Sequence, residues 1–490
     1  MQDTRPRRAV TSRAELEALV PAGDAEYEVV VCGGGPAGIG AALTAAGMGA
    51  RTLLLEARSV LGGVAGISLQ MSFNHLLQTG RLPAGAKPRK LPGVRGLFAD
   101  KILGLGPQAW RYCNSITSYY HGGLHIHPDY LQLGIFELLE ENGCHYSLGT
   151  PVTGAIMEGQ RIVGVVATGK SGPHKFRGHT IIDCTGDADV AWLAGAETIT
   201  GREADGRTLL PVTLAFAVGN TDYSKFQAFK PGKHKKPVNI AGWSDKDIED
   251  YYEKNKGNTT EADDPFLAIL AYAAKKGYCT AAWYGVGPTT IPGVITVNSA
   301  NYVGLGDVNG TRARDLTIAK RFGLQVAVDF VKIAREYGIP GLENCFLYAV
   351  GPEVAVRHSR RIVGEYVITR EDMIRAPDFE DIVLRCPGGC IDMVLVHGIA
   401  DMNPGIPYRS MVPKKIDGLL AAGRCLSSEY GILRGGGQGT SMGLGQSAAV
   451  AAVHCCKSGV VPREVDIAAV RKTLTDMGET LAHSDLEPWY

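Results

Sequence analysis

The sequence predicts an α/β fold, with a mostly parallel sheet, a β-meander and an inserted α+β domain. Apolar runs at 29–31 and 52–55 are typical of strands that are buried on both faces of a parallel sheet. Two further apolar runs, at 180–183 and 419–421, each end close to a glycine. The long polar and irregular stretch at 201–407 separates the last two runs and predicts the inserted domain.

The first apolar run leads into a glycine-rich turn, Gly33-x-Gly35-x-x-Gly38. Gly33 allows the tight turn, Gly35 lets the backbone approach a pyrophosphate at the helix N-terminus, and Gly38 lets that helix pack closely on the strand. Glu56 follows Gly38 by 18 residues and ends the second strand, where its carboxylate can accept hydrogen bonds from a ribose. These features predict a Rossmann-type site for an adenine dinucleotide without a 2′-phosphate.

Two later segments favour FAD over NAD as the dinucleotide. A second glycine pair, Gly62-Gly63, follows Glu56, and in glutathione-reductase-like flavoproteins, which this sequence resembles, that segment runs under the pyrophosphate toward the flavin. The glycine-rich stretch 435–443 precedes a small-residue helix predicted at 444–456. In those flavoproteins such a helix points its positive end at the flavin N1 and C2 carbonyl.

Composition excludes several classes of protein. Fifty basic and fifty acidic residues leave no net charge among the 490 residues, which argues against a nucleic-acid partner. The long uncharged stretches are broken by glycines and are not predicted to span a membrane. No secretion signal is apparent, and an odd number of cysteines with mostly apolar neighbours favours reduced thiols. We therefore expect a cytoplasmic protein.

The predicted domains are interleaved along the chain. In order they are an N-terminal extension at 1–26, the first part of the FAD-binding domain at 27–68, a substrate-side excursion or lid at 69–128, the second FAD-binding part at 129–200, the substrate domain at 201–407, the third FAD-binding part at 408–456 and a C-terminal helical tail at 457–490.

Within these domains, periodicity predicts individual elements. Helices are expected at 130–141, 244–254, 264–276 and 311–337. Strands at 144–152 and 161–168, with a Glu158-Gly159 turn between them, are expected to form the meander.

Several motifs, taken together and in this order, resemble the family of FAD-dependent oxidoreductases, in a branch near fumarate reductase and the flavin subunit of heterodisulfide reductase. The motifs are Ile182–Val190, Gly201–Arg207, Asp315–Ala319, Arg357–Tyr366, Ile406–Ser410 and Ala422–Cys425.

This resemblance implies FAD, the fold and redox chemistry, but no particular substrate. The late helix departs from the family pattern, because Gly445-Gln446-Ser447-Ala448-Ala449-Val450 stands where the pattern usually ends in Ala-Ala-Gly. Relatives that attach the flavin covalently use a histidine shortly after the second strand, and residues 57–66 contain none. Non-covalent FAD is expected.

The residues expected to contact FAD follow from the two glycine-rich segments, from the strand ends and from the late helix. They are Gly33, Gly35, Pro36, Ala37, Gly38, Glu56, Ala57, Arg58, Gly62, Gly63, Val64, Val152, Thr185, Gly186, Asp187, Gly423, Arg424, Gln438, Gly439, Thr440, Ser441 and Met442.

Hydride transfer to flavin N5 also needs a group that removes a proton from the substrate. His121 and His125 are candidates because imidazole titrates near neutral pH, and His358 could face the flavin from the inserted domain. The histidines around 121–127 have no acid close enough to suggest a metal site, so no metal is predicted.

Arg360 and Arg409 lie in the family-like segments, where a guanidinium could bind a substrate carboxylate or stabilise reduced flavin. An interdomain ion pair with Glu365 or Asp315 is the alternative role for these arginines.

The predicted function is a dehydrogenase or oxidase that acts on a CH–OH, CH–NH or CH–CH bond of a small polar molecule. The alternatives are a reductase of an unsaturated acceptor, or a tRNA-modifying or non-redox FAD protein. The Gly423-Arg424-Cys425-Leu426 sequence argues against flavin hydroxylases and halogenases, whose corresponding strand end reads Gly-Asp-Ala-Ala-His. The electron acceptor (oxygen, a quinone or a protein) stays open, and a homo-oligomer is compatible with the sequence.

Overall fold

The fold is described from a computed structural model. It describes residues 12–69, 72–74, 76–78, 89–112, 123–203, 205–206, 212–229, 246, 250, 265–302, 305–386, 404–430, 432 and 437–482.

The helices are α1 (Arg13–Glu17), α2 (Pro36–Gly47), α3 (Val64–Ile67), α4 (Gly93–Gly104), α5 (Pro128–Glu141), α6 (Asp189–Leu193), α7 (Tyr223–Phe229), α8 (Pro265–Lys275), α9 (Ala313–Glu336), α10 (Arg370–Arg375), α11 (Gln438–Ser458) and α12 (Ile467–Asp476). Short 3₁₀ turns lie at Tyr408–Ser410 and Pro462–Glu464.

The strands are β1 (Ala25–Cys32), β2 (Thr52–Leu55), β3 (Ser72–Phe73), β4 (Leu77–Gln78), β5 (Arg89–Lys90), β6 (Trp110–Tyr112), β7 (Leu124–Ile126), β8 (His145–Ser147), β9 (Val152–Glu158), β10 (Arg161–Gly169), β11 (Gly172–Asp183), β12 (Thr198–Thr200), β13 (Phe216–Gly219), β14 (Ala281–Pro288), β15 (Ile295–Tyr302), β16 (Phe346–Val350), β17 (Arg360–Ile362), β18 (Ile382–Arg385), β19 (Gly405–Pro407) and β20 (Leu419–Ala421).

The main sheet has the order β8-β2-β1-β11-β10-β9, and β20 pairs with β11. Strands β8, β2, β1, β11 and β20 run parallel, whereas β10 and β9 form an antiparallel meander. The four apolar runs of the sequence therefore lie in neighbouring strands of one sheet. Val31 of β1 is paired with Ile182 of β11, and Ile182 is paired with Leu420 of β20. This topology confirms the predicted α/β class with a Rossmann-type sheet and a meander.

The parallel strands are buried because helices cover the sheet. Val29, Val30 and Val31 are fully buried, as expected for a strand with apolar neighbours on both faces. Helices α2 and α11 pack so tightly that a Cβ on Gly445 would lie 1.8 Å from the Ala37 carbonyl oxygen. This close pairing brings the N-termini of both helices to the same side of the molecule.

The first meander strand differs from its prediction. The segment 145–147 forms β8, which lies parallel to β2 at the edge of the main sheet, and β9 is the strand that pairs with β10. A short alternating segment does not reveal whether it joins a meander or a parallel edge, because its partner lies elsewhere in the sequence.

The inserted domain has its own sheet and core. Its four strands have the order β14-β15-β13-β16, with α8 and α9 packed against them. Phe216, Phe266, Tyr284 and Phe330 form a buried aromatic cluster, with ring centroids 5.2 to 6.0 Å apart. The domain therefore has an independent α+β core, as predicted.

Helix boundaries were predicted unevenly. The helices expected at 130–141, 264–276 and 311–337 are α5, α8 and α9, each within two residues of the predicted ends. The late helix begins at Gln438, six residues before its predicted start, because glycines and small residues are accommodated inside a fully packed helix. The helix expected at 244–254 lies almost wholly outside the described residues.

Across the residues that the structure describes, no helix combines the length and apolar character needed to cross a membrane.

Candidate functional site

A cavity of about 730 Å³ lies at the carboxyl ends of the parallel strands. This volume falls within the range of about 300–1,000 Å³ that is usual for small-molecule and cofactor sites. One wall comes from the main sheet and its loops, and the other comes from the inserted domain. Ligands of open α/β sheets bind at this end of the strands, so the cavity is the candidate site.

Most of the residues predicted to contact the cofactor line this cavity. They are Gly33, Gly35, Pro36, Ala37, Glu56, Ala57, Arg58, Gly63, Val64, Val152, Thr185, Gly186, Asp187, Gly423, Arg424, Gln438 and Ser441.

The first glycine-rich turn forms the base of the cavity. Gly33 has a φ of 103°, and a Cβ there would lie 2.5 Å from the Cys184 carbonyl oxygen, so only glycine fits this turn between β1 and α2, which packs against the end of β11. Gly35 differs, because the closest atom to a Cβ there would be the Gly63 Cα at 3.9 Å. The backbone at Gly35 is thus open to a ligand.

Helix α2 begins at this turn without a side-chain cap, since its N-cap residue is Gly35. Its first turn borders the cavity, where Pro36 and Ala37 form part of the wall. The partial positive charge of this helix end suits an anionic ligand group.

Glu56 lies at the end of β2 and is 4 % exposed. Its two carboxylate oxygens accept hydrogen bonds from the Gly34 amide at 2.6 Å and the Arg58 amide at 2.8 Å. These two bonds fix the carboxylate at the cavity wall. Each oxygen keeps accepting capacity, so the group can also take hydrogen bonds from ribose hydroxyls.

The loop after β11 is held by Asp183, which is buried and accepts hydrogen bonds from the Thr185 amide and hydroxyl and from the Ala191 amide. Burial raises the pKa of Asp183, and these hydrogen bonds oppose that shift. The result is a fixed loop that presents Thr185, Gly186 and Asp187 to the cavity.

Asp187 joins this loop to two other segments. Arg424, after β20, lies 2.8 Å from Asp187, and Ser359 donates a hydrogen bond to the same carboxylate. Arg424 also donates to the Ser359 hydroxyl at 3.0 Å. The cavity wall is therefore cross-linked between the two parts of the main sheet and the family-like segment around Ser359.

Helix α11 reaches the cavity through Gln438 and Ser441. It too begins without a side-chain cap, at Gly437. The Gln438 side chain accepts a hydrogen bond from the Asn74 amide at 3.1 Å, and the Gly439 amide donates to the Asn74 carbonyl at 2.8 Å. The predicted substrate-side excursion is thus attached to the first turn of this helix.

Five predicted cofactor residues lie behind the wall. Gly38 packs on the turn, where a Cβ would lie 1.7 Å from the Gly33 carbonyl oxygen, and the Gly62 amide donates to the Gly34 carbonyl at 2.8 Å. The other three residues are in the first turns of α11, where they are buried by packing: Gly439, Thr440 and Met442. These residues shape the wall but do not form it.

His125 lies at the junction of the excursion and the inserted domain. It is 4 % exposed in β7, opposite Ser72 of β3, and its ring would contact a Cβ on Gly287 of β14 at 3.0 Å. His125 is not among the residues that line the cavity; its strand partner Ser72 is two residues before Asn74, which is bonded to the start of α11. His121 lies outside the described residues.

The partners of Arg360 in the structure are not Glu365 or Asp315, the two acids that the sequence suggested. Its guanidinium lies 2.6 Å from Asp189, donates to the Asp187 carbonyl at 2.8 Å and stacks on Trp192. Burial, followed by the nearby Asp187 and Asp183, raises the pKa of Asp189 to about 6. Arg360 therefore braces the loop after β11 from outside the cavity wall.

Arg409 is also away from the cavity. It lies 3.7 Å from Asp381 and stacks on Tyr366 and Phe379. The suggested partner Glu365 instead pairs with Arg463. This position argues against a direct contact between Arg409 and a substrate in the cavity.

His358 is buried between Tyr430 and two arginines. Its ring makes an edge-on contact with Tyr430 at 4.8 Å, and within the described part of the chain neither ring nitrogen has a hydrogen-bond partner. Burial, together with Arg361 and Arg424, lowers the pKa of His358 to about 3. A neutral imidazole behind the wall is a structural group rather than a base for this cavity.

Sequence reasoning missed the second wall. It includes Leu316, Thr317 and Lys320 of α9 and the segment 352–354, and Glu353 forms an ion pair with Arg58. The motif Asp315–Ala319 indicated that the start of α9 resembles a family segment. Nothing local in the sequence, however, places this helix opposite the glycine-rich turn.

Comparisons with known proteins agree with this geometry. A family model described as FAD dependent oxidoreductase matches residues 28–474. No curated protein matches the chain.

The chain also has distant similarity to several solved structures. One is a geranylgeranyl bacteriochlorophyll reductase-like protein from Thermoplasma acidophilum (14% identity, 93% of this chain and 83% of that chain, TM-score 0.45). Others are p-nitrophenol 4-monooxygenase from Pseudomonas putida (14%, 92% and 86%, 0.44) and a myxobacterial chondrochloren halogenase (12%, 95% and 85%, 0.41). Similarity at this level carries no argument about substrate or reaction.

Proposed function

The chain belongs to the FAD-dependent oxidoreductase family, and from this premise we propose that it is a dehydrogenase or oxidase. Its substrate would be a small polar organic molecule that gives hydride from a CH–OH, CH–NH or CH–CH group. The observation that supports this most is the cavity itself, which lies between the cofactor-binding sheet and an inserted domain.

The cavity wall fits FAD, which is the cofactor of this family. Glu56 would accept hydrogen bonds from the adenosine ribose, and the uncapped start of α2 would face the diphosphate beside the open backbone of Gly35. The uncapped start of α11, with Gln438 and Ser441, would face the flavin. Bound FAD supplies a two-electron acceptor at the flavin N5.

His125 is the proposed proton-accepting residue. Among the described histidines predicted for this role, His125 is the one that lies in the excursion, whose Asn74 is bonded to the start of α11, and it contacts β14 of the inserted domain; it is not itself part of the cavity lining. A buried imidazole that can take a proton from a substrate hydroxyl or amine would make hydride loss from the adjacent carbon easier.

The motifs that resemble the fumarate reductase and heterodisulfide reductase branch support placing the chain near it. The proposal leaves open whether oxygen, a quinone or a protein accepts the electrons. It allows the protein to form a homo-oligomer and assigns it no nucleic-acid or membrane partner.

Anaerobic reduction of the purified holoenzyme tests this function. We expect one class of alcohol, amine or acid in a substrate panel to bleach the flavin absorbance at about 450 nm. His125→Gln should slow that bleaching while leaving FAD bound. If every donor fails and the dithionite-reduced enzyme is reoxidised by an unsaturated acceptor, the protein is a reductase and the proposal is wrong.

A further inference from the structure

Lys320 is a cation in the wall that the inserted domain contributes. It lies in α9 and lines the cavity together with Leu316 and Thr317, one turn before it. Burial lowers the pKa of Lys320, and the neighbouring Glu353 opposes that effect. The ammonium is therefore partly desolvated at the edge of the cofactor cavity.

Lys320 differs from the other cations of the cavity wall in its partners. Arg58 pairs with Glu353, and Arg424 pairs with Asp187. Lys320 donates one hydrogen bond, to the Gly351 carbonyl at 2.6 Å, and within the described residues it has no ion pair. Since an ammonium has three donors, two remain for a ligand.

The position of this ammonium is fixed by the segment that holds it. The Gly351 amide donates to the Ala215 carbonyl at 2.7 Å, which ties the segment to the inserted domain. A Cβ on Gly351 would lie 2.8 Å from the Ile67 carbonyl at the end of α3, so the segment also touches the cofactor side. Lys320 is thus held where the two walls meet.

The charge of the wall is unfavourable for an anionic ligand without Lys320. The wall carries the four carboxylates of Glu56, Asp187, Asp189 and Glu353 and the three cations of Arg58, Lys320 and Arg424, and Arg360 pairs with Asp189 from outside the wall, so these charges sum to zero. Without Lys320 they would sum to −1, and bound FAD would add its anionic diphosphate. Two of the three cations are already neutralised by wall carboxylates, which leaves Lys320 to balance the ligand.

We propose that Lys320 binds the diphosphate of FAD from the inserted-domain side, opposite the N-terminus of α2. The diphosphate is the permanently anionic part of FAD, and lysine is a common phosphate partner. The inference rests on the proposed position of FAD in this cavity. It makes the inserted domain part of the cofactor site, so full FAD affinity requires that domain to be in place.

Binding measurements on the apoprotein test this role. We would compare wild type with Lys320→Met and Lys320→Arg, and use Lys332→Met as the matched control, because Lys332 is on the same helix and pairs with Asp329 at 3.3 Å. The probes are FAD, ADP, which has the diphosphate but no flavin, and riboflavin, which has no phosphate.

We expect Lys320→Met to weaken the binding of FAD and of ADP roughly tenfold, in line with the loss of one charge-assisted hydrogen bond. The affinity for riboflavin should stay unchanged. It should also reduce the salt dependence of FAD binding. Lys320→Arg should retain most of the affinity, and Lys332→Met should behave like wild type. Thermal melts of each variant check that the chain is folded.

Unchanged FAD and ADP affinity in a folded Lys320→Met would overturn the inference while leaving FAD binding intact. An equal loss for riboflavin would also overturn it, because Lys320 would then act on the flavin or on packing. If wild type itself binds no FAD, the proposed function fails, and the inference with it.

Discussion

At the residue scale, His358 shows how burial sets a charge state behind the site. The pKa of this imidazole falls from 6.5 to about 3 because burial and two nearby arginines oppose protonation. A histidine whose pKa is lower in the folded state stabilises the fold above pH 6.5, and that contribution is lost as the pH falls from 6.5 toward 3.

His358→Phe should therefore flatten the acid limb of the stability curve. Between pH 7 and pH 5, wild type should lose about 2 kcal/mol more unfolding free energy than the variant, because the unfolded histidine takes up a proton that the folded one refuses. Urea denaturation at the two pH values measures this difference. Equal losses in the two proteins would show that folding does not lower the pKa of His358.

At the element scale, the packing of α2 against α11 aligns the two helix ends that face the cavity. Gly445→Ala places a methyl group against the α2 backbone at Ala37, which cannot give way as a flexible side chain would. We expect a loss of about 1–3 kcal/mol in unfolding free energy, together with weaker FAD binding.

Gly104→Ala is the control for this substitution, since a Cβ there has no neighbour within 4 Å. Denaturation and FAD titration of both variants check the prediction. A Gly445→Ala protein that matches the control in both measurements would mean that the helix pair is more loosely packed than described.

The ion pair between Arg58 and Glu353 is a second element-scale feature, because it ties the segment after β16 to the strand-end loop that carries Glu56. Its side chains are 39 % and 42 % exposed, so the pair should contribute little to global stability. It does cross the cavity from one wall to the other, and its loss should therefore speed FAD release.

Arg58→Met should raise the FAD dissociation rate about two- to fivefold, the range of one partly exposed ion pair, and Glu353→Gln should raise it less, because that change also removes a carboxylate that repels the diphosphate. The reversed pair, Arg58→Glu with Glu353→Arg, should restore much of the wild-type rate. Lys225→Met is the control, since Lys225 pairs with Glu343 in the inserted domain. Release rates that match wild type in both single variants would count against a closing role.

At the scale of the whole molecule, the main sheet was predictable because its signals are local. The glycine turn, the strand-end acid and the apolar runs each act within a few residues, and the structure aligns them through registers such as Val31↔Ile182. The same local signals identified most of the first cavity wall.

The second wall could not be predicted in this way. Arg58 and Glu353 are 295 positions apart, and Lys320 faces the cavity only because α9 packs on the sheet of the inserted domain. Likewise, Arg360 and Arg409 were plausible ligand-binding residues by type, and only their neighbours Asp189 and Asp381 show how they are used.

The central claim is that FAD occupies the cavity between the sheet and the inserted domain, and Gly35 offers its most direct test. Its φ is −74°, so a larger residue fits the backbone without strain; the nearest atom to its Cβ would be the Gly63 Cα at 3.9 Å, and a leucine side chain there would extend into the cavity that Gly35 lines. The measurement is a calorimetric titration of FAD into the wild-type apoprotein and Gly35→Leu, with Gly104→Leu as the control.

The account predicts that wild type and Gly104→Leu each bind one FAD, and that Gly35→Leu folds with the same far-UV spectrum but binds none that can be detected. A folded Gly35→Leu protein that binds FAD as tightly as wild type would contradict the account, because the cofactor would then lie elsewhere.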